Sequence, residues 1–384
     1  MDKSFAIDLL PFYWRLSNKN DRTKNLVSSN FLFEFDIDTR HNLLIQKRND
    51  EVLNALNIIY QEEYNIGYLQ DQNVIAKQYG TDFFDFLKKH AFVHKRIKTV
   101  LEIGCGGCVM LSKLQSIGYE VTGIDSSPFA FNEGQKKGIH VIQDFFPSKS
   151  LSDKFDLIFH VDVLEHVDDY VGFLKSQHDQ LTDDGFLVVN VPDASESIKL
   201  GDFSLAMHQH LNYFSTDSLT SVLESSGFEV LAAERAGYGG SIYALAAKKS
   251  KKSDNSSPID NGGKHFLVAA AQSSDKFSRA IHKILASRGN TLGFYVPLRA
   301  LPYVTKTKIN CDFRFFDDTP HWHHLFFDGM DVKIENFDDL VRDPVTHVVI
   351  MSFTFADVIK KKIQRQFGDS INVLTLNDII NNSF

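Results

Sequence analysis

Residues 31–37 (FLFEFDI) alternate apolar and acidic side chains, the two-residue period of a half-buried strand. The period then lengthens. Val52, Leu53, Leu56 and Ile59 share one face of a helix predicted over 51–59, and a second helix is predicted over 71–90 after a Gly67-Tyr68 turn. From residue 99 short apolar runs alternate with helical stretches. Strands are predicted over 99–103, 119–124, 139–143, 155–160 and 185–191, and helices over 108–116, 129–137 and 170–180. A helix over 217–226 and strands over 228–235 and 241–248 close the series. Such alternation over about 150 residues implies a mainly parallel sheet covered on both faces, because each parallel crossover lays a helix on the sheet.

Residues 249–264 (KSKKSDNSSPIDNGGK) break the pattern and read as a polar linker. The rhythm restarts with a strand over 265–270, a helix to 287, strands over 291–295, 311–316 and 346–351, a helix to 367 and a strand over 372–375. The expected organisation is an N-terminal region (1–90), an α/β domain (91–249), a linker (250–264) and a smaller C-terminal α/β domain (265–384).

Composition narrows the partners. In 384 residues, 41 Lys+Arg stand against 49 Asp+Glu, a formal net charge of −8. That balance argues against gripping nucleic acid or an anionic membrane through general charge. Hydrophobic residues at 43%, with 33 Phe, supply aromatic cores. No run approaches the ~18 apolar residues of a membrane span. The start, Met1-Asp2-Lys3-Ser4-Phe5, lacks a basic segment followed by an apolar one, so no signal peptide is expected. Three cysteines exclude a disulfide scaffold and fit a reducing cytoplasm.

The strongest local signal is Val100-Leu101-Glu102-Ile103-Gly104-Cys105-Gly106-Gly107-Cys108, a buried strand running into a glycine turn and then a helix. Glycines there let backbone approach a ligand closely, and ligands in open α/β sheets bind at the carboxyl ends of strands. Asp125 ends the second strand, where a carboxylate accepts hydrogen bonds from both ribose hydroxyls of an adenosine-containing ligand. A dinucleotide site wants a third glycine where Val109 stands, and Glu102 would repel a pyrophosphate. A ligand with a cationic amino-acid tail and no phosphate suits that acid better, as S-adenosylmethionine does. Cys105 and Cys108 also form a C-x-x-C, but no second cysteine pair accompanies it.

On these residues the segment resembles the class I S-adenosylmethionine-dependent methyltransferases. Glu102, Gly104 and Gly106 match the acid and first two glycines of their first motif, with Cys108 at the third. The resemblance implies a Rossmann-like methyltransferase domain with S-adenosyl-L-methionine as cofactor. It places Asp125 on the ribose and Asp144-Phe145 at the adenine edge, with Cys105 and Ser126 also lining the cofactor site. Residues 155–167 (FDLIFHVDVLEHV) resemble the family's fourth-strand motif and add His160 to the cofactor side; Glu165-His166 there reads equally as a packing pair or as a lining of the site. Residues 181–187 (LTDDGFL) resemble the approach to strand five.

The acceptor side is expected after strand five, in Met207-His208-Gln209-His210-Leu211-Asn212-Tyr213-Phe214, before a Ser215 helix cap. A histidine of near-neutral pKa can take a proton from a hydroxyl, amine or activated carbon, so His210 and His208 are the candidate catalytic residues. Over roughly residues 50–380, and only weakly outside 100–245, the chain is similar to bacterial C-methyltransferases of nucleotide-linked keto-sugars, which join a zinc module, a methyltransferase domain and a C-terminal Rossmann-like domain. That resemblance implies a general base at His210 and an aromatic segment at Tyr64 and Tyr68, with Tyr68 on the cofactor and Tyr64 on the substrate. It also implies substrate contacts from Gln209, Tyr213 and Ser241. Arg299 is a candidate for a sugar-nucleotide phosphate. Met207 and Gln209 replace the family's Tyr and Glu, and residues 1–98 contain no cysteine, so no zinc module is expected. His321-Trp322-His323-His324 reads as a surface loop, and no metal site is expected.

The function expected is methyl transfer from S-adenosylmethionine to a small-molecule acceptor, a nucleotide-linked sugar in sugar biosynthesis, by a cytoplasmic monomer or homodimer. The alternatives are an O- or N-methyltransferase of another metabolite and a non-catalytic methyltransferase-fold partner protein.

Overall fold

The computed structural model describes residues 4–12, 16–18, 30–61, 74–94, 96–249, 262–309 and 311–381. Strands β1 (Phe5–Pro11) and β2 (Asn30–Asp38) pair antiparallel, with a bulge between Ala6 and Asp8. After β3 (Leu43–Gln46), helix α1 (Asp50–Tyr60) starts on Asn49, whose side chain accepts from the amides of Glu51 and Val52. Helix α2 (Val74–Phe86) continues into a π-turn at Leu87–Ala91.

The βα series follows: β4 (Thr99–Ile103), α3 (Val109–Ser116), β5 (Glu120–Asp125), α4 (Pro128–Lys137), β6 (His140–Gln143), β7 (Phe155–Val161), α5 (Tyr170–Gln180) and β8 (Leu181–Pro192). Then come α6 (Ser195–Leu200), β9 (Asn212–Tyr213), α7 (Thr216–Ser225), β10 (Phe228–Arg235) and β11 (Ser241–Lys248). Ser215 caps α7 in a capping box with Ser218, as its sequence predicted. The C-terminal part holds α8 (Gly262–Leu285), β12 (Leu292–Tyr295), α9 (Pro297–Thr307), β13 (Phe313–Phe316), β14 (Ile334–Glu335), α10 (Phe337–Arg342), β15 (His347–Ile350), α11 (Ala356–Phe367), β16 (Asn372–Thr375) and α12 (Leu376–Ile380). None of the described helices is long and apolar enough to cross a membrane.

Contacts divide the chain into two compact units, Asp38–Ser195 with His210–Asp260, and Met1–Ile37 with Glu196–Gln209 and Asn261–Phe384. These units cut across the segments drawn from sequence: the first 37 residues group with the C-terminal part.

In the first unit a seven-stranded sheet runs β10-β11-β8-β7-β4-β5-β6. β6, β5, β4, β7 and β8 are parallel, while β11 is antiparallel to both β8 and β10. Alternate residues face opposite sides. Leu101, Ile103, Ile158 and Val189 pack on Phe173 and Leu174 of α5 and on Leu219, Val222 and Leu223 of α7. Val100, Leu157, Phe159 and Val188 pack on Phe83 of α2, on Leu111 and Leu114 of α3 and on Ala130 of α4. Both faces are therefore apolar, as a doubly covered parallel sheet requires. The strand order reverses between β4 and β7, which puts the ligand crevice at their carboxyl ends.

The second unit holds a five-stranded parallel sheet, β14-β13-β12-β15-β16, and the β1–β2 hairpin. This is the smaller Rossmann-like domain. One expectation fails here: residues 265–270 are helix, not strand. Phe266, Leu267, Ala270, Phe277, Ile281 and Ile284 are buried along one stripe of the 24-residue α8, so the apolar run is the start of a helical face. Residues 262–264 of the expected linker begin that helix, and 250–261 lie outside the described residues.

Candidate active site

The chain leaves β4 through Gly104, whose φ is +73° and whose N–H donates to the Ile124 carbonyl at 2.8 Å. A Cβ there would lie 2.7 Å from Val163 Cγ2. The glycine turn is thus packed directly against the turn that follows β7. Asp125, the last residue of β5, holds the loop from the other side. Its Oδ2 accepts the Gly106 N–H at 2.9 Å and its Oδ1 the Ser127 N–H at 2.8 Å. Burial raises the Asp125 carboxyl above its ordinary value, against the pull of those two donors. Glu102 is 6% exposed and lies on β4 two residues before the turn. The Cys105 and Cys108 sulfurs are 3.9 Å apart and buried, and Lys137 donates to the Gly107 carbonyl.

Asp144 follows β6. Its Oδ1 accepts the Phe145 N–H at 2.8 Å, its Oδ2 the Ser148 hydroxyl at 2.6 Å, and its own N–H donates to the Asp125 carbonyl. The Phe145 ring is 40% exposed. His160 pairs with Ile103 in the sheet and is fully buried, edge-on to Phe173. Neither of its ring nitrogens has a hydrogen-bond partner among the described residues, and burial pushes its pKa down to about 3.

Beyond β7 the backbone is strained. Asp162 takes φ 53°, a left-handed conformation that favours glycine, and its side chain is exposed. The next residues form a 3-10 turn, Leu164–His166. Glu165 is 1% exposed, and neither carboxylate oxygen has a hydrogen-bond partner among the described residues. Burial, then the charge of Asp162, raises its pKa well above normal. His166 Nε2 stands 3.7 Å from Glu165 Oε1, and its Nδ1 is 3.1 Å from the hydroxyl of the half-buried Tyr60. The rings of His166 and His210 are 5.0 Å apart at 69°.

Backbone contacts fix this cluster. The Leu211 N–H donates to the Glu165 carbonyl at 2.7 Å, and Asn212 Nδ2 donates to the carbonyls of Leu164 (3.1 Å) and Val167 (2.7 Å). β9 in turn pairs with β3 through Leu44–Tyr213 and Ile45–Asn212. The Ser126 hydroxyl donates to the Tyr60 carbonyl at 2.8 Å, which links the end of β5 to the imidazole pair.

The sheet's carboxyl edge therefore gathers Glu102, Gly104, Cys105, Gly106, Asp125, Ser126, Asp144, Phe145 and His160, and the turn beyond β7 carries the cluster that includes His210. Tyr213 is buried in β9, and Ser241 opens β11 opposite Pro192. Tyr64 and Tyr68 lie outside the described residues. Gln209 and Arg299 belong to the second unit, where Arg299 is exposed on α9 and its charge bears on Asp202.

His208 is placed unlike a proton carrier. It is fully buried in the second unit, 5.9, 5.6 and 5.3 Å from the rings of Phe12, Phe31 and Phe33, with Nε2 3.1 Å from the Leu10 carbonyl. Burial pushes its pKa down to about 4. Sealed among phenyl rings, this imidazole is placed to pack rather than to exchange protons with a substrate. Tyr60 and Asp162 were not singled out from sequence: no motif marks a tyrosine at the end of α1, and a left-handed Asp leaves no signature in composition. His166 was visible in the LEHV run.

Residues 75–233 match the methyltransferase domain family. The chain carries a class I S-adenosylmethionine-dependent methyltransferase domain. The match covers the glycine turn, Asp125, His160 and His210. Among curated relatives, the chain resembles the mitochondrial ubiquinone biosynthesis O-methyltransferase of Schizosaccharomyces pombe, with 28% identity over 132 residues. That alignment spans 32% of this chain and 47% of the relative. C-methyltransferase NovU of Streptomyces niveus is 27% identical over 155 residues, 38% of this chain and 37% of the relative. The chain thus spans half or less of the length of these two relatives. The 1,6-didemethyltoxoflavin-N1-methyltransferase structure from Burkholderia thailandensis aligns with 54% of the chain and 96% of its own at TM-score 0.40 and 17% identity.

Proposed function

We propose that this protein transfers the methyl group of S-adenosylmethionine to a nucleotide-linked sugar and that His210 accepts the proton released. The observation that carries the reading is the packing of the glycine turn on Val163, which sets the cofactor loop against the turn bearing Glu165 and His166. Cofactor and acceptor groups then meet at one edge of one sheet.

The residues present fit the cofactor. Glu102 suits the ammonium of the amino-acid tail, Asp125 the ribose hydroxyls, and Phe145 offers an exposed ring beside the adenine position. His160 is a buried polar side chain still lacking a hydrogen-bond partner among the described residues. When bound, the cofactor supplies an electrophilic sulfonium methyl. The chain's task is alignment and proton removal, and alignment alone can supply several kcal/mol. Tyr60 orients His166, and His166 stands beside His210, so that His210 receives the acceptor's proton as the new bond to carbon or oxygen forms.

The test is to incubate the full chain with S-adenosylmethionine and a panel of nucleotide sugars, reading a methyl mass shift, beside calorimetric titration of S-adenosylhomocysteine. His210→Ala is expected to cut kcat by about 100-fold or more with little change in S-adenosylhomocysteine affinity. An unchanged rate overturns the assigned base, and failure to bind S-adenosylhomocysteine overturns the cofactor reading in favour of a non-catalytic partner.

A further inference from the structure

We propose that Glu165, His166 and His210 bind one divalent transition-metal ion, zinc by the character of the donors. The inference goes beyond the methyl-transfer reading, with which it shares Tyr60, Glu165, His166 and His210. A ligand atom from each of the three residues lies within 4.8 Å of the other two. Zinc holds imidazole nitrogen and carboxylate oxygen at about 2.0–2.1 Å, which sets tetrahedral donors about 3.3 Å apart. Side-chain rotations that close each pair by about 1.5 Å or less therefore complete the site.

The second, independent observation is Glu165. Its carboxylate is 1% exposed, with no hydrogen bond to either oxygen among the described residues, and it faces His166 Nε2 at 3.7 Å. A buried carboxylate in that condition is costly unless a cation or a proton satisfies it. Two imidazoles converging on the same point select a cation that prefers nitrogen and oxygen donors. The surroundings are those of a metal ligand set. His166 turns its other nitrogen to the Tyr60 hydroxyl at 3.1 Å, the outer contact that orients a ligating histidine. The two ligand segments are tied by the Leu211 and Asn212 hydrogen bonds, so the donors are held by backbone. Three protein ligands leave a fourth position open, where an acceptor oxygen would be polarised. With the ion bound, the His210 nitrogen that faces it is committed.

The His321–His324 run offers a control. His323 Nε2 lies 3.1 Å from the Asp317 carbonyl and His324 Nε2 4.0 Å from Asp339, and these side chains form no three-donor cluster among the described residues.

The experiment uses the full chain, stripped with a chelator, then titrated with Zn²⁺ by calorimetry and with Co²⁺ by visible absorption. One ion per chain is expected, with four- or five-coordinate cobalt bands and no thiolate charge-transfer band from Cys105 or Cys108. The isosteric Glu165→Gln, and His166→Gln, should each weaken binding about 100-fold. Tyr60→Phe should weaken it about 10-fold, and His323→Gln should leave it unchanged. Absence of stoichiometric binding, a thiolate band, or affinity indifferent to Glu165→Gln and His166→Gln overturns the proposal. Methyl transfer by the metal-free chain with no ion bound removes this inference and leaves the methyl-transfer reading. A bound ion with no transfer to any acceptor does the reverse.

Discussion

Two histidines two positions apart in one motif have separate places in the structure, and His208→Ala is the sharper probe. Its imidazole is sealed among Phe12, Phe31 and Phe33 and meets the Leu10 carbonyl at 3.1 Å. Truncating a buried ring costs about 3–5 kcal/mol through lost contacts and the cavity left behind. Leaving a buried carbonyl without its donor adds about 1–3 kcal/mol. Relaxation of the surrounding rings trims the sum, so about 4 kcal/mol is expected. For a unit of this size each kcal/mol moves the melting temperature by about 2–4 °C. The transition of the unit holding His208 should therefore fall by about 8–16 °C in differential scanning calorimetry. Turnover measured well below that transition should stay within about threefold of the parent. His210→Ala should show the opposite signature, a collapsed kcat with a melting temperature shifted by a few degrees at most. A His208→Ala protein that melts normally but does not turn over would refute the assignment of His208 to packing.

Asp125→Ala removes the acceptor for the Gly106 and Ser127 amides together with the proposed ribose contact, so S-adenosylhomocysteine affinity should drop at least about 30-fold by calorimetry, more than kcat falls at saturating cofactor. Stability should also fall between pH 6.5 and about pH 4. His160 and His208 are held neutral when folded, with pKa values pushed from 6.5 to about 3 and about 4. The unfolded chain therefore binds more protons in that window, and stability rises with pH by about 3 kcal/mol or more per histidine. Denaturant midpoints measured from pH 7 to pH 4 check this, and a His208→Phe variant should flatten the profile.

The βα core was legible because each strand between residues 99 and 191 is an apolar run closed by a turn residue, and because a glycine turn followed by Asp125 has few other uses. β10 and β11 run over the very residues that the alternation predicted. The failures have physical causes. Residues 265–270 (HFLVAA) form too short an apolar run to tell a buried strand from a helical stripe, and only the continuation to Ile284 decides it. β1 and β3 were missed because their partners lie far along the chain: Phe5 pairs with Phe35, and Leu44 with Tyr213. His208 and His210 look alike in sequence. Local pattern carries no record that the chain passes from one compact unit to the other between Gln209 and His210.

The contact between Gly104 and Val163 is where the proposed cofactor loop meets the proposed acceptor turn, and it can be dissected. Gly104→Ala meets two obstacles. A φ of +73° costs an L-residue about 1–2 kcal/mol, and the new Cβ would sit 2.7 Å from Val163 Cγ2. Gly118 supplies the comparison: its φ is +99°, yet nothing lies within 4 Å of a built Cβ. Gly118→Ala should therefore cost backbone strain alone and leave cofactor affinity intact. Gly104→Ala should cost more stability and also weaken S-adenosylhomocysteine binding, since relief of the clash must displace the loop or the turn. Val163→Ala in the Gly104→Ala background removes the obstructing methyl without touching φ. It should recover the clash part of the loss, giving a coupling of about 1 kcal/mol or more in a double-mutant cycle. Additive effects of the two substitutions would mean that the loop and the turn move independently, and the argument that one edge of the sheet brings cofactor and acceptor together would lose its physical basis.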